Sequence, residues 1–190
     1  MKSVSLAFAA STVLAAAASA QTYYVDPVNG IDVAGAGSAS VPFQSMTFAV
    51  ASATGGPLTL LLQPGVYSSS SGESFPLDLP PDVTVEGLLA RGARIRHELA
   101  SPGGTTATAA LRVDWTSGGG SATLRNLTLN GNQNGLRVRA LGGGSHQLTV
   151  ENVRTQMTVS SSSGSGLGMK VVADDASGSS NVFFTLSRVH

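Results

Sequence analysis

Four stretches repeat one order of positions: apolar, threonine, apolar, polar, turn residue, apolar. They are Val83-Thr84-Val85-Glu86-Gly87-Leu88, Ala122-Thr123-Leu124-Arg125-Asn126-Leu127, Leu148-Thr149-Val150-Glu151-Asn152-Val153 and Phe184-Thr185-Leu186-Ser187-Arg188-Val189. Alternation at period two marks strands with one buried face. The middle pair lies 26 residues apart, from Leu124 to Val150, close to one coil of a parallel β-solenoid. The outer gaps of 39 and 36 residues require loops inserted into the coil, and Gly/Ser-rich tracts at 101–106, 160–168 and 177–180 stand in those gaps.

A second register interleaves with the first. Leu111-Arg112-Val113, Leu136-Arg137-Val138 and Met169-Lys170-Val171 each read apolar, basic, apolar, one in each half-coil after a strand of the first set. Parallel stacking puts like on like about 4.8 Å apart, so apolar columns line a core while basic residues stack outward. Short alternating runs also describe a β-sandwich, but a sandwich does not need matching residue types at matching places. The expected fold is all-β: a right-handed, single-stranded parallel β-helix. Asn126 and Asn152 share one slot in successive coils, where a turn in the left-handed region suits asparagine and stacked amides can bond as a ladder. Gly87 fills the slot one coil earlier in this alignment, and Arg188 departs from it.

Before the repeats, Gln21 to Val25 reads as a strand and residues 26–41 as a turn-rich loop. One helix follows at about 43–54, with Pro42 at its start, Ser40 as N-cap, Phe43, Met46, Val50 and Ala53 on one face, and Gly55-Gly56-Pro57 as its stop. Such a helix caps the open end of a solenoid. Residues 58–89 then supply two short apolar runs, separated by Pro64-Gly65, a Ser/Gly loop and Pro80-Pro81.

Residues 23–88 carry a resemblance. Tyr24-Val25-Asp26, Gly30 with Asp32, Pro42-Phe43, Pro64-Gly65-Val66-Tyr67, Gly72-Glu73-Ser74-Phe75-Pro76-Leu77 and Val83-Thr84-Val85-Glu86-Gly87 stand in order. This resembles the N-terminal domain-of-unknown-function family that opens many secreted right-handed parallel β-helix, pectate-lyase-like proteins. The Gly-Glu-x-Phe-Pro-Leu run is its specific part. The resemblance implies a fold and an exported location, and brings no settled activity.

Composition adds compartment and charge. Met1-Lys2, an apolar run at 4–18 and Ala18-Ser19-Ala20 read as a secretory signal peptide over 1–20, leaving residues 21–190 as one exported domain of about 170 residues. No later apolar stretch approaches the roughly 20 residues a membrane span needs. There is no cysteine, so stability rests on burial and backbone bonding. Eleven basic side chains balance eleven acidic ones, which predicts no nucleic-acid partner.

Candidate chemistry sits in two places. Arg112, Arg137 and Lys170 form a cationic column that Arg139 extends, with Asp114 close enough to neutralise part of it. Whether Arg154 shares this face is left open by the spacing. This strip suits an acidic polysaccharide, guanidinium groups pairing with uronate carboxylates, and Trp115 offers a sugar-stacking ring. The bland reading is a solvated basic face. Asp26, Asn29 and Asp32 make an oxygen-rich loop, a candidate Ca²⁺ site that lacks the ligand pattern of an EF-hand; the same residues serve as turn formers, as does Asp174-Asp175. Glu86, Arg125 and Glu151 alternate in sign and read as a self-compensating surface.

A glycosidase needs two opposed carboxylates, and a lyase a base with charge neutralisation of the uronate. Neither is assembled. The chain has no Gly-His-Gly of the polygalacturonase kind, no acidic cluster paired with an Arg as in pectate lyases, and three scattered histidines, His97, His146 and His190. Residues 181–190 begin a coil and stop partway, which predicts further C-terminal coils or a partner domain. The expected role is an exported scaffold or glycan-binding segment with no cofactor. The alternative is the N-terminal portion of a polysaccharide lyase or glycoside hydrolase whose catalytic coils follow.

Overall fold

The computed structural model describes residues 19–97, 109–116, 118–131, 134–157, 167–173 and 180–190. Within them lie fourteen strands and one α-helix. The strands are β1 (Gln21–Val25), β2 (Leu58–Leu62), β3 (Gly65–Tyr67), β4 (Leu77–Leu79), β5 (Asp82–Gly87), β6 (Ala93–Arg96), β7 (Ala109–Trp115) and β8 (Gly120–Arg125). They continue as β9 (Leu127–Gly131), β10 (Asn134–Ala140), β11 (Gly144–Glu151), β12 (Arg154–Met157), β13 (Leu167–Ala173) and β14 (Ser180–Ser187); the helix is α1 (Met46–Ala51).

Sheet A runs β1-β2-β5-β8-β11-β14, sheet B runs β3-β6-β9-β12 and sheet C runs β4-β7-β10-β13. From β2 onward the chain visits A, B and C in rotation. Every pairing among the described strands is parallel. Antiparallel sandwich packing is thereby set aside, and the architecture is all-β and parallel.

The first repeat stacks in the expected register, with Val83 on Ala122, Ala122 on Leu148 and Leu148 on Phe184. Gln21-Thr22 and Leu58-Thr59 join the same columns, so Thr22, Thr59, Thr84, Thr123, Thr149 and Thr185 form one outward ladder across sheet A. The inward columns are close to fully buried, Leu60, Val85 and Leu124 among them. Each such side chain contributes about 1.5–3 kcal/mol.

Two local expectations need correction. The helix begins at Met46, with Ser45 rather than Ser40 as N-cap, and ends at Ala51 with Ser52 as C-cap, ahead of the Gly-Gly-Pro stop. Phe43 instead lies beside β1, its N–H donating to Tyr24 O while its carbonyl accepts from Asp26 N. Backbone groups committed to a strand bridge cannot also enter a helical turn. Ser45 is fixed in extended conformation, its Oγ accepting from Phe48 N.

The second correction concerns the turn column. Left-handed backbone occurs at Arg91, Asn126, Asn152 and Arg188, with φ of 57°, 58°, 51° and 52°. Gly87 is a strand residue paired with Leu62. It is glycine for a different reason: a Cβ there would lie 2.5 Å from Asn126 O. Asn152 Nδ2 donates to Asn126 Oδ1 at 2.8 Å, and Arg91 Nε donates to Asn152 Oδ1 at 3.0 Å. Arg188 keeps the backbone geometry without an amide to extend the ladder.

Candidate functional site

Sheet C brings the predicted cations together. Arg112 pairs with Arg137, and Arg137 with Lys170, at equal register on adjacent strands. Alternation along β7 and β10 buries Leu111, Val113, Leu136 and Val138 and turns the arginines outward. β4 adds a member that the sequence reading passed over: Asp78 stands opposite Arg112. Its two carboxylate oxygens accept from Arg112 Nε and Nη2. In the neighbouring column Arg139 grips Asp114 in the same forked way, Nε to Oδ1 at 2.8 Å. The Arg139 hydrogen bond holds the Asp114 carboxyl below the ordinary carboxylate value against the opposing push of burial, and Arg112 and Arg137 add to the effect.

Four cations thus face two carboxylates, a surplus of two. Arg137 Nε is buried with no hydrogen-bond partner, and Lys170 is exposed. Neither has an ion-pair partner among the described residues. The like-charged column is tolerated because Asp78 neutralises Arg112 and Asp114 neutralises the neighbouring Arg139, leaving Arg137 and Lys170 to present positive potential to solvent.

The remaining candidates fall elsewhere. Trp115 is 1% exposed, its ring stacked on His146 at 4.9 Å and its Nε1 donating to Pro81 O, so it has no face to offer a sugar. Gly120 leaves the room, since a Cβ there would sit 2.4 Å from the indole. Arg154 belongs to sheet B. Arg125 Nε lies 3.4 Å from Glu151 on sheet A, in line with a self-compensating column. Asp174-Asp175, residues 1–18 of the expected signal peptide at 1–20 and most of the Gly/Ser loop positions lie outside the described residues.

The oxygen-rich loop does not converge. Asp26 accepts from Val28 N and from Asn29 N and Nδ2. Burial pushes its carboxyl up, but these bonds outweigh it and hold the group below its ordinary value. Asp32 faces the other way, accepting from Gln44 N, Ser45 N and Ser45 Oγ. No group of three or more potential metal-ligating side chains occurs among the described residues.

The same region holds a carboxylate the sequence reading gave no role. Glu73, 4% exposed, accepts from Met46 N, Thr47 N and Thr47 Oγ1 at 2.8–3.0 Å. Burial pushes its pKa up although these bonds oppose the shift, and Asp32 adds to the rise. Tyr67 Oη lies 2.9 Å from the carbonyls of both Val25 and Gln63. A β-strand, a turn loop, a short helix and the Gly-Glu-x-Phe-Pro-Leu run are therefore tied into one knot over the end of the stack.

A family model described as Protein of unknown function (DUF1565) matches residues 28–140, more than half the chain. The chain belongs to this family. No curated protein and no solved structure is significantly similar to it. The DUF1565 match takes in Asp32, Glu73, Asp78 and sheet C through Arg139, whereas Asn152 and Lys170 lie beyond it. Among the described residues no helix is long and apolar enough to cross a membrane.

Proposed function

We propose that this chain is an exported scaffold, wound as a right-handed parallel β-helix, that holds an acidic polysaccharide along sheet C. The hand follows the general chirality of parallel crossovers, right-handed in about 98% of cases. Export is supported by the basic start, the apolar run at 4–18 and Ala18-Ser19-Ala20.

The observation that carries the binding reading is the uncompensated pair Arg137 and Lys170, one coil apart beside two neutralised arginines. An exposed strand face with fixed guanidinium and ammonium groups meets successive carboxylates of a polyuronate without rearrangement. The test is retention of the folded protein on immobilised polygalacturonate or alginate. Arg137→Gln with Lys170→Gln lowers affinity about tenfold, equivalent to roughly 1.4 kcal/mol. Unchanged retention by the folded double variant overturns the reading.

A further inference from the structure

β14 is the edge of sheet A at the end away from α1, and among the described residues no strand pairs with its outer side. Successive strand residues point their backbone groups to opposite sides. Ser187 O accepts from Asn152 N, so Phe183, Thr185 and Ser187 turn their N–H and C=O toward β11. Val182, Phe184 and Leu186 turn theirs to the free edge. The same three carry their side chains inward, in the columns of His146, Leu148 and Val150. Phe184 and Leu186 are nevertheless exposed, and Phe183 on the outer face is 61% exposed. The strand, Ser-Asn-Val-Phe-Phe-Thr-Leu-Ser, holds none of the charges or prolines that guard an edge against pairing.

The other end of sheet A is guarded. On β1, Tyr24 N donates to Gly37 O and Tyr24 O accepts from Phe43 N, while Phe43 and Met46 are buried over the core. β14 therefore has no free β1 edge to meet on a neighbouring copy, and head-to-tail growth into a filament is blocked. What it can meet is itself. Read outward from Phe184, Val182 mirrors Leu186 and Asn181 mirrors Ser187, apolar on apolar and polar on polar. We propose that β14 is a dimerisation edge: two copies join end to end, β14 antiparallel to the partner's β14, about a two-fold axis through Phe184 perpendicular to sheet A. Phe184 then lies opposite the partner's Phe184 and Val182 opposite the partner's Leu186, and their edge-facing N–H and C=O groups bond one another. The inner face stays inward in both copies, so the two open cores abut. A one-residue slip turns apolar side chains to the wrong face. Sliding by two residues sets Leu186 against Ser180, or Val182 against Arg188, which leaves the register on Phe184 the best matched.

Sedimentation velocity of the full chain, with no polysaccharide present, reads this edge apart from binding on sheet C. The mass of one chain in dilute solution gives way to that of two, and to nothing larger, over about a hundredfold rise in concentration. Hydrogen exchange in β14, fastest in the dilute protein, slows over the same range, while β5 and β8 stay unchanged. Substitutions at Phe183 and Thr185 test the register from the solvent face and leave the core intact, since Phe183 lies opposite the partner's Thr185. Phe183→Glu with Thr185→Glu sets like charges across the edge and weakens the dimer about tenfold. Phe183→Lys with Thr185→Glu removes the same two side chains but sets opposite charges, and associates about tenfold more tightly than the doubly acidic variant. Circular dichroism confirms that both are folded. A wild-type chain that stays single at every concentration refutes the inference, whether its edge is bare or takes an unrelated partner. Equal association of the two variants refutes it as well, because antiparallel pairing centred on Phe184 is what places these positions opposite each other.

Discussion

His97 is 6% exposed, its ring stacked on Phe75 at 5.0 Å, and its Nδ1 has no hydrogen-bond partner. Burial favours the neutral ring and holds its pKa below the ordinary imidazole value. The unfolded chain therefore takes up this proton more readily than the folded one. Stability from His97 is fully present above the unfolded pKa, about 6.5, and is lost as pH falls through the folded value. Asp114 and Asp26, both depressed, add a separate loss only below about pH 4. The melting temperature is expected to fall between about pH 7 and 5. His97→Phe, which keeps a ring on Phe75, flattens that part of the profile and leaves the lower one. Superimposable profiles for the two proteins would exclude His97 as the source.

At the scale of elements, α1 is six residues long, too short to stand by propensity alone. Its first amides are bonded to Glu73, and the amides just before it to Asp32, carboxylates from loops 27 and 13 residues away. Glu73→Ala leaves buried N–H groups unpaired and is expected to destabilise the fold by about 2–3 kcal/mol. It should also accelerate hydrogen exchange at Met46 and Thr47 well beyond exchange in β8, and equal acceleration at both places would mean that Glu73 has no local role. This dependence on distant loops explains why the helix start was not legible: Ser40 and Ser45 look alike as caps until Asp32 and Glu73 choose between them. The two repeat families were legible because parallel pairing stacks identical types. Leu77-Asp78-Leu79 escaped the second family through its opposite sign, the very property that neutralises Arg112. Gly87 was misplaced because the turn column skips to Arg91 across an inserted Leu88-Leu89-Ala90. Sheet B went unread since its column runs Val66, Arg94, Thr128, Arg154, so that no residue type recurs from one coil to the next.

Across the whole molecule, the core columns of sheet A change character along the stack. Leu58, Val83, Ala122 and Leu148 are at most 3% exposed, yet Phe184 in the same column is 48% exposed; Leu60, Val85, Leu124 and Val150 lead likewise to Leu186 at 52%. The opposite end lies under Phe43, Met46 and Ala49, all buried. Since each coil of a solenoid leans on its neighbours, local opening is cheapest where burial is least. Hydrogen exchange should therefore be slowest in β5 and β8 and fastest in β14, with β1 slower than β14 although both are edges of sheet A. Equal rates in β1 and β14 would show that the knot of Tyr67, Glu73 and Asp32 does not protect its end. The gradient also reports on binding. Lys170 lies on β13, in the less protected half, and Arg137 on the strand before it. A polyanion bridging those two residues ties one coil to the next and slows exchange in β13, by as much as its binding stabilises the folded coil.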